Sequence, residues 1–381
     1  MQNYVTKRFA HPAWIEIDLD QFVENIRAFK NHISQQKICL AIKANAYGHG
    51  LVPIAQVAEV HGIDYLAVAH LQEGALLREA GITIPILVLG ALHEEQLHDL
   101  LHYNLEFTIA SQYKAKLVAD LCKKTKTRAK VHVEIETGMQ RTGTRPETAL
   151  RLIEELQAFD CFDLIGIYSH LARSDEPNHP TSHEQIKIFG KLVDEVRKTN
   201  PDIIAHLANS SGILHYPESY FDMVRPGILL FGYTCPEQHP LFSLIKPFFS
   251  VKAKVAFFKV VQENQGVSYN HTYKTSQLTR IVTVPIGYGD GLRRSLSNKA
   301  CVLIRGKRYP IVGTICMDQF MVDIGMNEAY VGDDVVLIGK QENEQLSLQS
   351  MAKIAETIPY EILCNFNDRL DRIYKYEGKY I

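Results

Sequence analysis

Short apolar runs punctuate the first 240 residues of the chain, at 37–43, 65–69, 85–89, 106–110, 130–136, 164–170, 203–208 and 223–231. Each is almost continuously apolar instead of alternating, the pattern of parallel strands covered on both faces. Between them lie stretches of helical spacing. Leu19, Phe22, Val23, Ile26 and Phe29 fall on one helical face. Ser182, with Gln185 three residues on, reads as a capping box that opens a helix carrying Ile186, Phe189, Val193 and Val196. Eight strand–helix units in roughly 200 residues predict an α/β fold with an N-terminal (β/α)8 barrel of the TIM type, rather than a six-stranded doubly wound sheet.

The texture changes after 232–240. Strands then follow one another without long helices, at 250–261, 279–286, 300–305, 309–312, 320–324 and 334–338, with one short helix at 348–356. The pattern therefore predicts two domains. Residues 1–240 form the barrel, the extreme N-terminal strand being free to pack on the second domain. Residues 241–381 form a mostly β C-terminal domain. The length of 381 residues agrees with two domains at about 150 residues each.

Composition narrows the function classes. Apolar residues make up 46% and charged residues 22%, which excludes a disordered or fibrous chain. Lys and Arg total 41 against 43 Asp and Glu, for a formal charge of −2. So even a balance gives no global attraction to nucleic acid or to anionic lipid. No apolar run is long enough to span a bilayer, and residues 1–12 lack the apolar core of a secretory signal. Cys39, Cys122, Cys161, Cys235, Cys301, Cys316 and Cys364 are scattered and form no C-x-x-C pair. That argues against a disulfide framework or a zinc ribbon and for a reducing, cytoplasmic setting. No metal-ligand spacing, Walker loop or dinucleotide fingerprint is present, so the expected metal is none.

In a TIM-type barrel the chemistry gathers at the C-terminal ends of the strands. Lys43 closes the first run, ahead of Asn45, Tyr47 and the Gly48-His49-Gly50 turn. A buried amine there is a nucleophile or Schiff-base former, whereas a snorkelling amine is only a strand end; both readings stay open. Arg141, flanked by Gly138 and Gly143, suits a carboxylate or phosphate, or else a loop ion pair. His170 ends the sixth run, and core histidines are common in that position. His206 leads into Asn209 and Ser210, a strand-to-helix turn suited to a phosphate, or a plain cap. Arg225 sits inside an apolar strand and needs a partner, while Gly227 beside it permits close approach to a ligand. The second domain has three dense spots: 266–273, an expected turn holding Tyr269; 285–291, rich in glycine; and 312–319, holding Met317 and Asp318.

Taken in order, the stretches 41–50 around Lys43, 206–210, 267–273, 286–291 and 315–319 resemble the alanine racemase family over nearly the whole chain. That family pairs a TIM barrel with a β domain and uses pyridoxal 5'-phosphate. The resemblance implies interconversion of L- and D-alanine by two bases, supplying D-alanine for peptidoglycan. It implies that Lys43 holds the cofactor covalently and serves as base for the D-substrate, and that Tyr269 serves as base for the L-substrate. Tyr47, Ser210, Gly227 and Ile228 hold the phosphate, with Asn209 close by. His170 lies against the ring, and Arg225 faces its nitrogen with His206 in support. Arg141 and the Met317 backbone bind the substrate carboxylate, with Asp318 as a supporting neighbour. A homodimer with sites shared between subunits follows, Tyr269 and Met317 coming from the other subunit.

Two positions depart from the family pattern. Glu134 stands where a carbamylated lysine often steadies the arginine matching Arg141, so a direct Glu134–Arg141 pairing without a carbamate is expected. Asp368 stands where a tyrosine usually helps hold the phosphate. Either the loop is shifted or the pocket is wider and more polar, which would admit serine. Thr314 replaces a familiar arginine at the entrance. The alternatives are a serine or broader racemase on the same scaffold, a barrel-class decarboxylase and a non-catalytic pyridoxal phosphate carrier.

Overall fold

The structure is a computed structural model that describes residues 11–381 apart from 34, 92, 235 and 237. The segment before His11 and Cys235 therefore lie outside the described residues. The chain divides into two compact units. One takes in the described residues up to Phe22, Tyr47–Gly50 and Pro247–Ile381. The other takes in Val23–Ala46 and Leu51–Lys246.

The second of these is a closed eight-stranded barrel. Its strands follow β1 (Ala13–Asp18), which belongs to the other unit. They are β2 (Lys37–Ala41), β3 (Tyr65–Val68), β4 (Ile86–Val88), β5 (Glu106–Ile109), β6 (Ala129–Glu134), β7 (Phe162–Tyr168), β8 (Ile204–His206) and β9 (Met223–Val224). All pair in parallel, and β9 closes on β2 with Lys37 opposite Met223. These are the eight expected strands. The last is cut to two residues because Pro226 and Gly227 follow Arg225 at once, and proline brings no ladder N–H.

The barrel interior has two textures. Cys39, Ala41, Tyr65, Ala67 and Met223 form a buried apolar cluster on β2, β3 and β9. Glu106, Thr108, His132, Glu134 and His206 are buried polar side chains on β5, β6 and β8. Thr108 reaches the hydroxyl of Tyr168 at 2.7 Å, and His132 reaches His206 at 3.0 Å. Both bonds link strands that are not neighbours, so they cross the inside of the barrel.

The expected capping box at Ser182 is not formed. The helix Pro180–Arg197 begins two residues earlier, where His179 accepts the N–H of Thr181 and Pro180 fills the first helical position without needing a donor. Gln185 is free for another task. Its amide donates to the Thr137 hydroxyl and the His170 carbonyl, and its oxygen accepts the N–H of Ala172.

The other unit is an eleven-stranded sheet with a separate two-stranded hairpin. Its further strands are β10 (Phe249–Lys254), β11 (Phe257–Val261), β12 (Gly266–Val267), β13 (Tyr273–Lys274), β14 (Thr279–Val284), β15 (Cys301–Ile304), β16 (Lys307–Val312), β17 (Phe320–Asp323), β18 (Asp334–Gln341), β19 (Glu344–Leu346), β20 (Asp371–Tyr376) and β21 (Lys379–Tyr380). β1 sits inside this sheet, antiparallel to β10 and parallel to β20. The expected single strand at 250–261 is two strands, because β10 pairs with β1 and β18 whereas β11 pairs with β14. Val255 and Ala256 carry the switch, donating to Asp333 and Thr283. The expected short helix forms as Leu348–Ile354, and a second one, Pro359–Asn365, follows it, opened by proline at its first position.

Candidate active site

Lys43 follows β2 by two residues and opens a left-handed turn. Ala44, Asn45, Ala46 and Tyr47 all have φ between 52° and 55°. L-residues pay about 1–2 kcal/mol each for this conformation. Side chains anchor it: Glu73 accepts the N–H of Ala44 at 2.6 Å, and Asn45 accepts that of Leu51 at 2.7 Å.

The other barrel residues singled out from sequence also sit at strand C-termini. Glu134 is the last residue of β6, and Arg141 lies on the loop beyond it. That loop folds back on the strand: Thr144 donates to the Glu134 carbonyl and Glu136 donates to Thr144. Gly143, at φ +108°, keeps the return tight, since a side chain there would press on the Glu136 backbone. His170 follows β7, His206 ends β8, and Asn209 and Ser210 follow it. Asn209 caps the short helix Ser210–His215 by accepting the Gly212 N–H, and it receives the Ser174 hydroxyl. The Ser210 hydroxyl accepts the N–H groups of Gly227 and Leu229 at 2.9 and 3.3 Å, which ties the two phosphate-candidate segments together.

Arg225 is buried just after β9. Its guanidinium donates to the carbonyls of Ser169, His206 and Leu207 and to Nδ1 of His206, and it lies 5.2 Å from the Tyr168 ring. His170 Nδ1 is 3.4 Å away. Burial pushes the His170 imidazole down to about 3, helped by the positive charges of Arg225, Arg141 and Lys43. His170 is therefore neutral, and the positive charges that act on it come from three different strand ends. Burial likewise holds His206 far below the ordinary imidazole range. Glu134 moves the opposite way: burial raises it, opposed by the Thr142 hydroxyl and by Arg141 and Arg225.

In the β unit, Tyr269 sits on a one-turn 3-10 helix between β12 and β13, so the expected turn is a small hairpin tip. The Thr314 hydroxyl donates to the Tyr269 carbonyl and the Ser268 hydroxyl donates to the Thr314 carbonyl, stitching this tip to the segment that bears Met317. Tyr288 and Gly289 donate to the carbonyls of Cys316 and Met317. A side chain at Gly287 would strike both of those carbonyls. Asp318 pairs with Arg369 at 2.7 Å, and Arg369 also meets the buried Asp290 at 3.1 Å. Tyr269 and Met317 are 67% and 53% exposed. Tyr47 packs on Tyr360 in the same unit. The Asp368 side chain is 94% exposed and pairs with Arg372.

Fold and site together define a (β/α)8-barrel enzyme with an appended β domain. The N-terminal and C-terminal domain families of alanine racemase match residues 17–235 and 248–374. The enzyme named alanine racemase 2 of Caldanaerobacter subterraneus is 39% identical over 373 residues, 97% of this chain and 96% of its own. The solved alanine racemase of Clostridium difficile 630 aligns with TM-score 0.92 at 36% identity, covering 98% of both chains. That of Bartonella henselae, solved with covalently bound pyridoxal phosphate, aligns with TM-score 0.85 at 29% identity over 95% of this chain and 99% of its own. The chain belongs to the alanine racemase family.

Glu106, Thr108, His132 and Tyr168 join the site without having been singled out from the sequence. Their signal is the recurrence of polar side chains two apart, Glu106 with Thr108 and His132 with Glu134, inside runs otherwise apolar.

Proposed function

We propose that the protein racemises alanine with pyridoxal 5'-phosphate, using Lys43 and Tyr269 as bases on opposite faces of the substrate, to supply D-alanine for peptidoglycan. The observation that carries this reading is the grouping of Lys43, Arg141, His170, Ser210 and Arg225 at or just beyond the C-terminal ends of barrel strands, with the Arg225 guanidinium 3.4 Å from His170. A site so rich in cations and N–H donors suits a phosphate ester and a substrate carboxylate together. The donor set fits the cofactor: an amine at a strand end, the Ser210 hydroxyl with the Gly227 segment for the phosphate, and an uncharged imidazole for the ring.

Pyridoxal phosphate, when bound, supplies the electron sink that makes the α-proton of an amino acid removable. Lys43 would hold it covalently. Tyr47, Asn209, Ser210, Gly227 and Ile228 would take the phosphate, His170 would lie along the ring, and Arg225 would face the ring nitrogen. An arginine stays charged and cannot accept a proton, so at that position it would leave the nitrogen unprotonated and hold down side reactions. Arg141, steadied by Glu134, and the Met317 N–H hold the substrate carboxylate. Lys43 Nζ and Tyr269 Oη then move the α-proton on opposite faces, each group of this kind giving about 10²–10⁴-fold.

We further infer a homodimer in which Tyr269 and Met317 complete the partner's site, a reading supported by their exposure on one stitched surface. The six described cysteines are free thiols, which supports a cytoplasmic setting. Mixing tests the two-base, shared-site reading. Lys43→Ala and Tyr269→Phe should each abolish exchange. Dissociated together and allowed to re-pair, they should recover roughly a quarter of wild-type activity, since half the dimers would be hybrids with one intact site. Recovery of nothing, with hybrids demonstrably formed, would place both bases in one chain.

A further inference from the structure

Arg225 buries a positive charge, yet among the described residues its hydrogen bonds go to carbonyls and imidazoles, not to a carboxylate. Through two imidazoles, however, its hydrogen bonds lead on to a carboxylate. His206 Nε2 is 3.0 Å from His132 Nδ1, and His132 Nε2 is 2.8 Å from Glu106 Oε2. Both rings are fully buried, and Arg225 and Glu106 are nearly so.

The direction of every bond follows from the ends. A guanidinium only donates, so His206 Nδ1 accepts and its proton sits on Nε2. That proton is donated to His132 Nδ1. His132 therefore carries its own proton on Nε2 and donates it to the carboxylate. Tyr168 stacks on His206 at 5.0 Å and holds the ring plane. Space for the His132 ring is made by Gly166 on the neighbouring strand β7, where a Cβ would lie 2.6 Å from His132 Nδ1, and β6 shifts register between Val131 and His132.

We propose that His132 and Glu106 are positioning residues of the site. They fix His206 as the tautomer that accepts from Arg225, and Glu106 ends the relay from Arg225 in a negative charge inside the barrel. Glu134 and Tyr168 also feel Arg225 directly, without an intervening imidazole. Arg78 acts electrostatically on Glu106 and gives its hydrogen bonds to the carbonyls of Ile82, Ile84, Tyr103 and Asn104. The consequence for the cofactor rests on the reading that Arg225 faces the ring nitrogen; the relay itself does not.

The test is ¹⁵N NMR of histidine-labelled full-length protein, with the absorption spectrum of bound pyridoxal phosphate as second readout. Both His132 and His206 should be neutral with the proton on Nε2. Glu106→Gln keeps an acceptor and should keep both tautomers, but it removes the charge. It should shift the cofactor absorption band and lower kcat about ten-fold with KM for alanine unchanged, in the range seen when outer partners of a functional histidine are lost. Glu106→Leu should also lose the single tautomer at His206. A wild-type His206 protonated on Nδ1 would overturn the relay, as would a Glu106→Gln spectrum and kcat equal to wild type. Should Glu106→Leu fail to fold, the wild-type tautomers and Glu106→Gln still decide. Correct tautomers in a protein that leaves alanine unchanged would sink the racemase reading and leave the relay standing.

Discussion

Glu134 illustrates how a single side chain balances burial against charge. Its carboxyl is held up by desolvation and pulled down by Thr142, Arg141 and Arg225, with burial winning. An unfolded glutamate ionises near 4.3. Above that pH the folded chain still keeps a proton that the unfolded chain has lost. Glu134 therefore contributes stability that is full below the unfolded value and lost as pH rises through the raised folded value. Glu134→Gln should abolish that loss, so its Tm at neutral pH should be no lower than wild type. Activity should move the other way: KM for alanine should rise about ten-fold, because the negative charge that acts on Arg141 is removed. Calorimetry and steady-state kinetics on the same preparation check both signs, and an unchanged KM would remove Glu134 from substrate binding.

At the scale of elements, the barrel strands were legible because burial on both faces leaves continuous apolar runs, and all eight form. What escaped the pattern is what periodicity does not encode. The register shift in β6 and the cross-barrel bonds depend on which strands face each other only after closure. The left-handed turn at 44–47 hides in ordinary residue types, and only Asn45 hints at it, since Asn tolerates this conformation. That turn carries the chain on from Lys43, so its strain bears on where the amine points. Asn45→Val should cost about 2 kcal/mol or more by combining a β-branched residue at positive φ with loss of the Leu51 bond. It should lower kcat more than it raises KM. A variant as stable and active as wild type would show that the turn does not position Lys43.

Across the whole molecule, the candidate residues divide between the two units: Lys43, Arg141, His170 and Arg225 lie in the barrel unit, and Tyr269 and Met317 lie in the β unit. The sequence made both sets legible as clusters, because glycine-rich and polar stretches interrupt strands where backbone must approach a ligand. The outer partners were less so: the Arg369–Asp290 brace behind Asp318 joins residues far apart in the chain. Asp368, the position that kept serine open as a substrate, is exposed and paired with Arg372. The most direct measurement is chiral chromatography of L-alanine and, separately, L-serine after incubation with purified protein loaded with pyridoxal phosphate. Alanine should approach equal amounts of the two enantiomers quickly, with serine far behind. Comparable serine exchange would mark a widened pocket, and an absence of D-alanine with the cofactor still bound through Lys43 would contradict the account.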